Sequence, residues 1–346
     1  MSASRPRERL GWLWVALGLG LVLALVASLL LGYRSLSPAA LLGWSQDLTL
    51  RHLILEYRLP RMLIAPVCGA ALAVSGCLLQ SLTRNPLAAP DVLGVNAAAS
   101  FCVVLALFIQ PDLGLGWLNG LAFVAALAMT RVLLWLLGRE GARHSLLRLP
   151  LLGSVLAMLF AALTQTLITL DPSTQDQALS WLTGNIAGRS LRQFWAALPW
   201  LLLAVVGLWR LWGKLDLFYL GDAQIRTLGQ DPDTLRRQAV LISSLLVAAV
   251  VGVIGPIGFI GLLVPRMALR LSANGHSANG HSASGHRHWL PLAALLGALL
   301  LTLADLLARF IYYPEDIPAG VVTALLGGPA FLFLLYRQRG RSDGAG

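Results

Sequence analysis

The residues able to do chemistry are few and far apart. Asp305 and Arg309 fall four apart in LADLLAR, near one end of an apolar run, and Arg131 lies in another. Ionisable groups in such runs mark proton or sodium pathways when they form a chain, and no chain of acids accompanies these. No Ser–His pair, H-E-x-x-H or carboxylate pair stands out as an enzyme site. The single lysine, Lys214, sits in WGKL without the glycine spacing of a phosphate-binding loop, so no ATP site of that kind is expected. Four of the six histidines, His276, His281, His286 and His288, cluster in SANGHSANGHSASGHRH, residues 272–288. Clustered histidines can hold a transition metal. Here no carboxylate or cysteine joins them, and the Ser, Ala, Asn and Gly around them are those of a flexible linker. Cys68, Cys77 and Cys102 lie inside apolar runs without ligand spacing and read as small core residues.

The elements that must position these groups are membrane helices. Of 346 residues, 57% are hydrophobic and 12% charged, about half the charge of a soluble domain. The net charge is +10, but the arginines sit at the ends of apolar runs, a pattern of topology and anionic lipid contact rather than nucleic-acid binding. The first run, Leu10 to Leu31, is too long for a signal peptide and reads as a retained helix. Arg5, Arg7 and Arg9 before it, and Arg337, Arg339 and Arg341 at the other end, place both termini on the cytoplasmic side of the membrane. At roughly 20 residues per crossing, the chain makes about ten helices in one all-α, multi-pass domain over residues 1–346. Residues 171–190 read as a polar outer loop whose one basic residue is Arg189.

The stretch from Arg58 to Val95 organises the rest. An uncharged run from Met62 to Thr83 follows Arg58 and Arg61 and breaks at Asn85-Pro86. Gly69, Ala73 and Gly76 give it one small face, continued by Gln80, which suits close approach of another backbone or a pathway lining. Arg34, Arg51, Arg58 and Arg61 lie on the outer side against Asp47 and Glu56, contrary to the usual charge rule, which points to an acidic partner outside. GPIGFIG, with Gly255, Pro256 and Gly258, and ALLGGPA at 324–330 read as breaks that need protein or a cavity around them. The inner segment 214–237 carries a short helix capped by Asp222, then Asp231-Pro232 as N-cap and first-turn proline. Its Leu217, Phe218 and Leu220 suit either a covering cytoplasmic partner or an ordinary re-entry loop.

RLPR, GAALAVSGCLLQ, NPLAAPDVLGV, LGDAQIRTLG, GPIGFIGLLVP, LADLLAR and IPAGVVTALLGGP resemble, in the same order, the motifs of the FecCD-type permeases of iron-siderophore, haem and vitamin B12 ABC importers. The resemblance implies a type II permease fold, a second pore subunit, two cytoplasmic ATPase subunits that hold ATP and Mg, and a periplasmic or lipid-anchored binding protein. This chain would then bind no cofactor of its own and catalyse no covalent reaction. In the family the LGD segment contacts the ATPase, which falls here to Gly221, Asp222, Arg226, Leu228 and Gly229. The arginines that meet acidic residues of the binding protein are similar to Arg58, Arg61 and Arg309. The chain departs from the pattern at Asn96, followed by three alanines, at Pro265-Arg266 in place of Pro-His, and in the long histidine repeat. The alternatives are a stand-alone carrier or channel and a polytopic membrane enzyme.

Overall fold

A computed structural model describes residues 5–32, 47–138, 145–272, 285–312 and 315–342, and its described regular structure is entirely helical. The expected short helix after Ser37-Pro38, Arg34, His276 and His281 lie outside those residues. In chain order the main helices are α1 (Arg5–Leu30), α2 (Leu59–Thr83), α3 (Val95–Ile109), α4 (Leu115–Gly138), α5 (Ser145–Leu170), α6 (Pro172–Leu182), α7 (Leu191–Trp212), α8 (Asp222–Thr227), α9 (Pro232–Ile254), α10 (Ile260–Ser272), α11 (His286–Ile311) and α12 (Ala319–Ser342). Seven stretches are long and apolar enough to cross a membrane, those containing α1, α2, α4, α5, α7, α9 and α11. The shorter apolar helices are Val95–Ile109 and Ala319–Phe333.

Helix α2 stands at the centre, packed on α11, α9 and α10, while α9 also packs on α7 and α4. It is entered through the helical turn Leu48–His52, capped by Asp47, and a π turn, Leu53–Arg58. Pro66 sits inside it without ending it, as is common where neighbouring helices and an apolar medium enforce the helix. It stops at Arg84, which is left-handed with φ 50°, and the Asn85 side chain accepts the Leu87 N–H at 2.9 Å to form the turn through Pro86. At the periphery, Val15 and Leu19 of α1 and Val155 and Met158 of α5 are exposed; faces of this kind require lipid or another subunit against them.

Between α2 and α9 the buried Ser75 hydroxyl lies 2.7 Å from that of Ser243 and donates to the Ser243 carbonyl at 3.1 Å. Interhelical hydrogen bonds in membrane proteins contribute about 0.6 kcal/mol on average. Ser75→Ala should therefore lower stability by no more than about 1 kcal/mol, read as a small shift of the thermal unfolding midpoint.

Three local expectations change. The polar segment 171–190 contains α6, started by Pro172 at its first turn, where a proline costs no hydrogen bond. ALLGGPA does not break: it stays inside α12, because Gly327 and its neighbours leave room for Phe259, whose Cβ would lie 2.6 Å from a Cβ at Gly327. The cap of α8 is Gly221 rather than Asp222; the Gly221 N–H donates to the Gln224 side chain at 3.2 Å, and Asp222 is the first helical residue. Asp231 caps α9 as expected, accepting the Thr234 N–H at 3.0 Å, with Pro232 in the first turn. In GPIGFIG, residues 255–259 are non-helical and α10 begins at Ile260. Gly255 has φ 79°, a region that L side chains rarely adopt, and a Cβ there would come within 2.6 Å of the Trp181 carbonyl. The Ile254 carbonyl that the turn frees accepts the Asn185 N–H at 2.9 Å, so the irregular backbone is satisfied inside protein.

Candidate functional site

Where α2 begins, four elements meet in a buried ionic cluster. Asp305 of α11, 1% exposed, is shared by two arginines. Arg61 donates to its Oδ1 at 2.8 Å through Nη2 and at 3.2 Å through Nε, and Arg309 donates to its Oδ2 at 2.5 Å. Arg61 Nη1 also meets Asp316 at 2.5 Å. Arg309 bonds the Ser28 carbonyl and hydroxyl, both at 2.8 Å, and the Leu31 carbonyl at 3.2 Å, which ties α1 to α11. Arg58, in the π turn, donates to the Leu29 carbonyl. A π turn holds one extra residue per hydrogen-bonded turn, and here it sets Arg58 toward α1 while Arg61 faces α11. The three arginines singled out in the sequence are thus brought together, but Arg58 and Arg309 are only 5% and 7% exposed and are held by groups of this same chain. Burying this many charges is tolerable because both Asp305 oxygens and most guanidinium N–H groups find partners.

The small face of α2 is a packing seam. A Cβ at Gly69 would fall 2.2 Å from the Gly297 carbonyl of α11, and one at Gly76 would fall 1.9 Å from the Gly261 carbonyl of α10. The Ala73 methyl packs at Gly297 between them. Backbone therefore lies on backbone along this face. Gln80 donates to the Leu262 carbonyl of α10 at 3.1 Å and is 6% exposed, while its Oε1 is buried without a partner. It touches a neighbouring helix rather than an open pathway in this conformation.

Where α2 ends, a second polar cluster ties it to the segment 215–220. The Asp216 carboxylate accepts the His286 backbone N–H at 3.0 Å and lies 2.7 Å from His286 Nδ1. The Ser81 hydroxyl is 2.6 Å from His286 Nε2. With Nδ1–H turned to the carboxylate, Nε2 is left to accept the Ser81 proton. Partial burial opposes ionisation of Asp216, yet the hydrogen bonds from the His286 backbone and ring hold the carboxyl below its ordinary range. Tyr219 stacks on the imidazole with ring centroids 5.0 Å apart, and Trp289 lies 5.2 Å away. Arg84 donates to the Phe218 carbonyl at 2.8 Å and to the Leu220 carbonyl. The order Ser81–His286–Asp216 is that of a hydrolytic triad, but Ser81 and His286 are each 1% exposed. With a nucleophile sealed from substrate, the arrangement acts as a tether.

His286 and His288 are therefore not in a loose loop, because α11 starts at His286 and folds the end of the repeat into a helix. Among the described residues no group of three or more His, Cys, Asp or Glu could hold a metal. Leu217, Phe218 and Leu220 also differ from an uncovered apolar surface: Phe218 is buried and the other two pack on the core, anchoring the segment to the bundle. The face of α8 that remains outward carries Arg226 and Leu228, both exposed, with Gly229 at φ 72° ending the helix. Asp222 pairs with Arg236 of α9 at 2.6 Å. The role of His286 gave no periodic signal in the sequence; the one available sign was its place three residues before Trp289 at an apolar helix start.

By length and composition of its helices the molecule is a multi-pass membrane protein. The chain belongs to the FecCD transport family, whose model matches residues 20–337, and it is accordingly a permease subunit of the ABC transporter class. It is 41% identical over 301 residues to the Fe(3+) dicitrate transport system permease protein FecD of Escherichia coli (strain K12), covering 87% of this chain and 90% of that one. It is 37% identical over 347 residues to the hemin transport system permease protein HmuU of Yersinia pestis, covering 98% of each. A solved structure described as a metal-chelate type ABC transporter in an inward-facing conformation matches with a TM-score of 0.81 at 30% identity, over 93% of this chain and 98% of that one.

Proposed function

We propose that this chain lines the membrane pathway of a bacterial importer for an iron chelate of the citrate, siderophore or haem kind. In this reading two cytoplasmic ATPase subunits hold ATP and Mg, a second permease subunit, identical or a paralogue, completes the pore, and an external binding protein delivers the cargo. The observation that carries it is the full-length likeness to permeases named for iron dicitrate and hemin. Ten crossings follow if α3, α10 and α12 are added to the seven long apolar helices. Both termini then lie in the cytoplasm, the Arg58–Arg61–Arg309 end faces outward, and segment 214–237 faces inward. At the outer end an acidic group of the binding protein would compete with Asp316, 35% exposed, for Arg61. At the inner end Gly221, Asp222, Arg226, Leu228 and Gly229 would form the ATPase contact, and closure of the ATPase pair would be passed to the helices.

The test is reconstitution of the chain with its candidate partners. Co-purification with an ATPase subunit and ATP-dependent uptake of radiolabelled ferric citrate or haem are the expected results; uptake driven by an ion gradient without ATP would sink the reading. The tether makes a sharper prediction. His286→Ala removes two hydrogen bonds, one to a carboxylate, and should lower uptake about tenfold, the equivalent of roughly 1.4 kcal/mol, while ATP hydrolysis and ATPase association persist. Uptake at the wild-type rate would show that the force does not pass through residue 286.

A further inference from the structure

A pocket of about 430 Å³ opens between the end of α3, the start of α4, α6 and the segment after it. Its walls divide by chemistry. The end of α3 and the start of α4 supply Leu107, Leu113, Leu115 and Leu118, while α6 and the segment after it supply Asp176, Gln177, Ser180, Trp181 and Arg189. Arg189 is 4% exposed. Its Nε donates to the Asn185 carbonyl at 2.9 Å, and Nη1 reaches Asn119 Oδ1 only at 3.5 Å. Among the described residues it meets no carboxylate within ion-pair distance, and Nη2 meets no acceptor. Beside it, the Asn119 amide spends its oxygen on the Trp181 indole at 3.3 Å and leaves its buried Nδ2 without a partner. Burial without a counter-charge pushes the Arg189 guanidinium down to about 10. Within the pocket lining, a buried cation that meets no counter-charge asks for an oxyanion.

The surroundings indicate which oxyanion. Ile109 and Trp117, each 73% exposed, lie in the same helix ends as the lining residues Leu107 and Leu118, and the lining Leu115 is itself exposed. Exposed tryptophan next to apolar residues at helix ends is the pattern of a bilayer interface, the level at which phospholipid headgroups lie. A free anion would use Arg189 but leave the four leucines unfilled. It would also face the carboxylate of Asp176, which is exposed and stands in the same wall. A headgroup with a phosphodiester and an ammonium satisfies both charges, and its acyl chain covers the leucines.

We propose that this pocket is a binding site for an ethanolamine phospholipid, with the phosphodiester held by Arg189, the ammonium at Asp176 and an acyl chain along Leu107, Leu113, Leu115 and Leu118. Its function is to fix α6 and the segment after it to the membrane surface.

Native mass spectrometry of the purified full-length protein with added phosphatidylethanolamine tests it, beside thermal unfolding with that lipid or with a diacylglycerol of the same chains. The wild type should retain phosphatidylethanolamine and be stabilised by it but not by the diacylglycerol. Arg189→Gln should weaken retention about tenfold, as the loss of a charged hydrogen bond implies. Because that variant also gives up the bond to Asn185, Leu113→Trp, which fills the apolar wall and leaves Arg189 in place, is the second variant and should weaken retention as well. Retention unchanged in both variants, equal stabilisation by the diacylglycerol, or displacement of the lipid by citrate alone would each overturn the proposal.

Discussion

Asp305→Asn should be the most damaging single polar substitution in the chain. The asparagine is nearly isosteric but carries no charge, and its Nδ2 cannot accept, so both arginines lose their shared counter-charge and one of them, Arg61 or Arg309, also loses its acceptor at position 305. Removing one member of a buried ion cluster costs about 3–5 kcal/mol, mostly because the surviving charges remain buried and unpaired. The loss should appear as a lower unfolding midpoint in detergent or nanodiscs and as lower membrane abundance. A double-mutant cycle with Arg309→Gln separates this cause from a general packing defect. The second substitution should cost little once Asp305 has gone, with a coupling energy of about 1–3 kcal/mol. Strict additivity would mean that the short contacts of Asp305 contribute nothing specific.

A methyl group at Gly76 is expected to do at least as much harm by another route. Its carbon would lie 1.9 Å from the Gly261 carbonyl oxygen, where the closest comfortable C···O approach is about 3.3 Å. The obstacle is backbone, so no rotamer change relieves it; α2 and α10 must separate along the seam. Overpacking in well-filled cores costs about 1–3 kcal/mol, and Gly76→Ala should reach or pass the top of that range, with loss of uptake. Gly120→Ala is the control. It adds the same methyl where nothing lies within 4 Å and should leave both stability and uptake unchanged. Comparable loss in the two variants would place the fault in helix insertion rather than in the seam.

Much of this was legible in the sequence because it is local or periodic. The small face Gly69–Ala73–Gly76 declares itself by spacing, Asp231-Pro232 by cap chemistry, and GPIGFIG by glycines that no helix would choose. Arg58 and Arg61 drew notice as arginines expected on the outer side against the charge rule and Arg309 through the family motifs, though their partners did not: Arg61 finds Asp305 across 244 residues. Ser81 and His286 are 205 residues apart and His286 and Asp216 are 70 apart. Pairs so distant leave no pattern in a single sequence, and a repeat rich in serine and glycine hid the one histidine that folds inward. Arg189 was visible only as the lone basic residue of a polar stretch, since what distinguishes it is burial without a carboxylate.

Helices α2 and α11 are fastened to each other at both extremities, by Arg61–Asp305 at one and Ser81–His286 at the other. His286 and Asp305 are separated by about 29 Å of helix at 1.5 Å per residue. Two rods joined at both ends and smooth in between form a closed frame, in which each clamp fixes the rotational phase of the other. Inserting a single residue into α2 between Arg61 and Ser81 would turn one clamp by about 100° relative to its mate. The twenty-residue interval between those two side chains is thus a fixed length, as tightly set as any side chain within it.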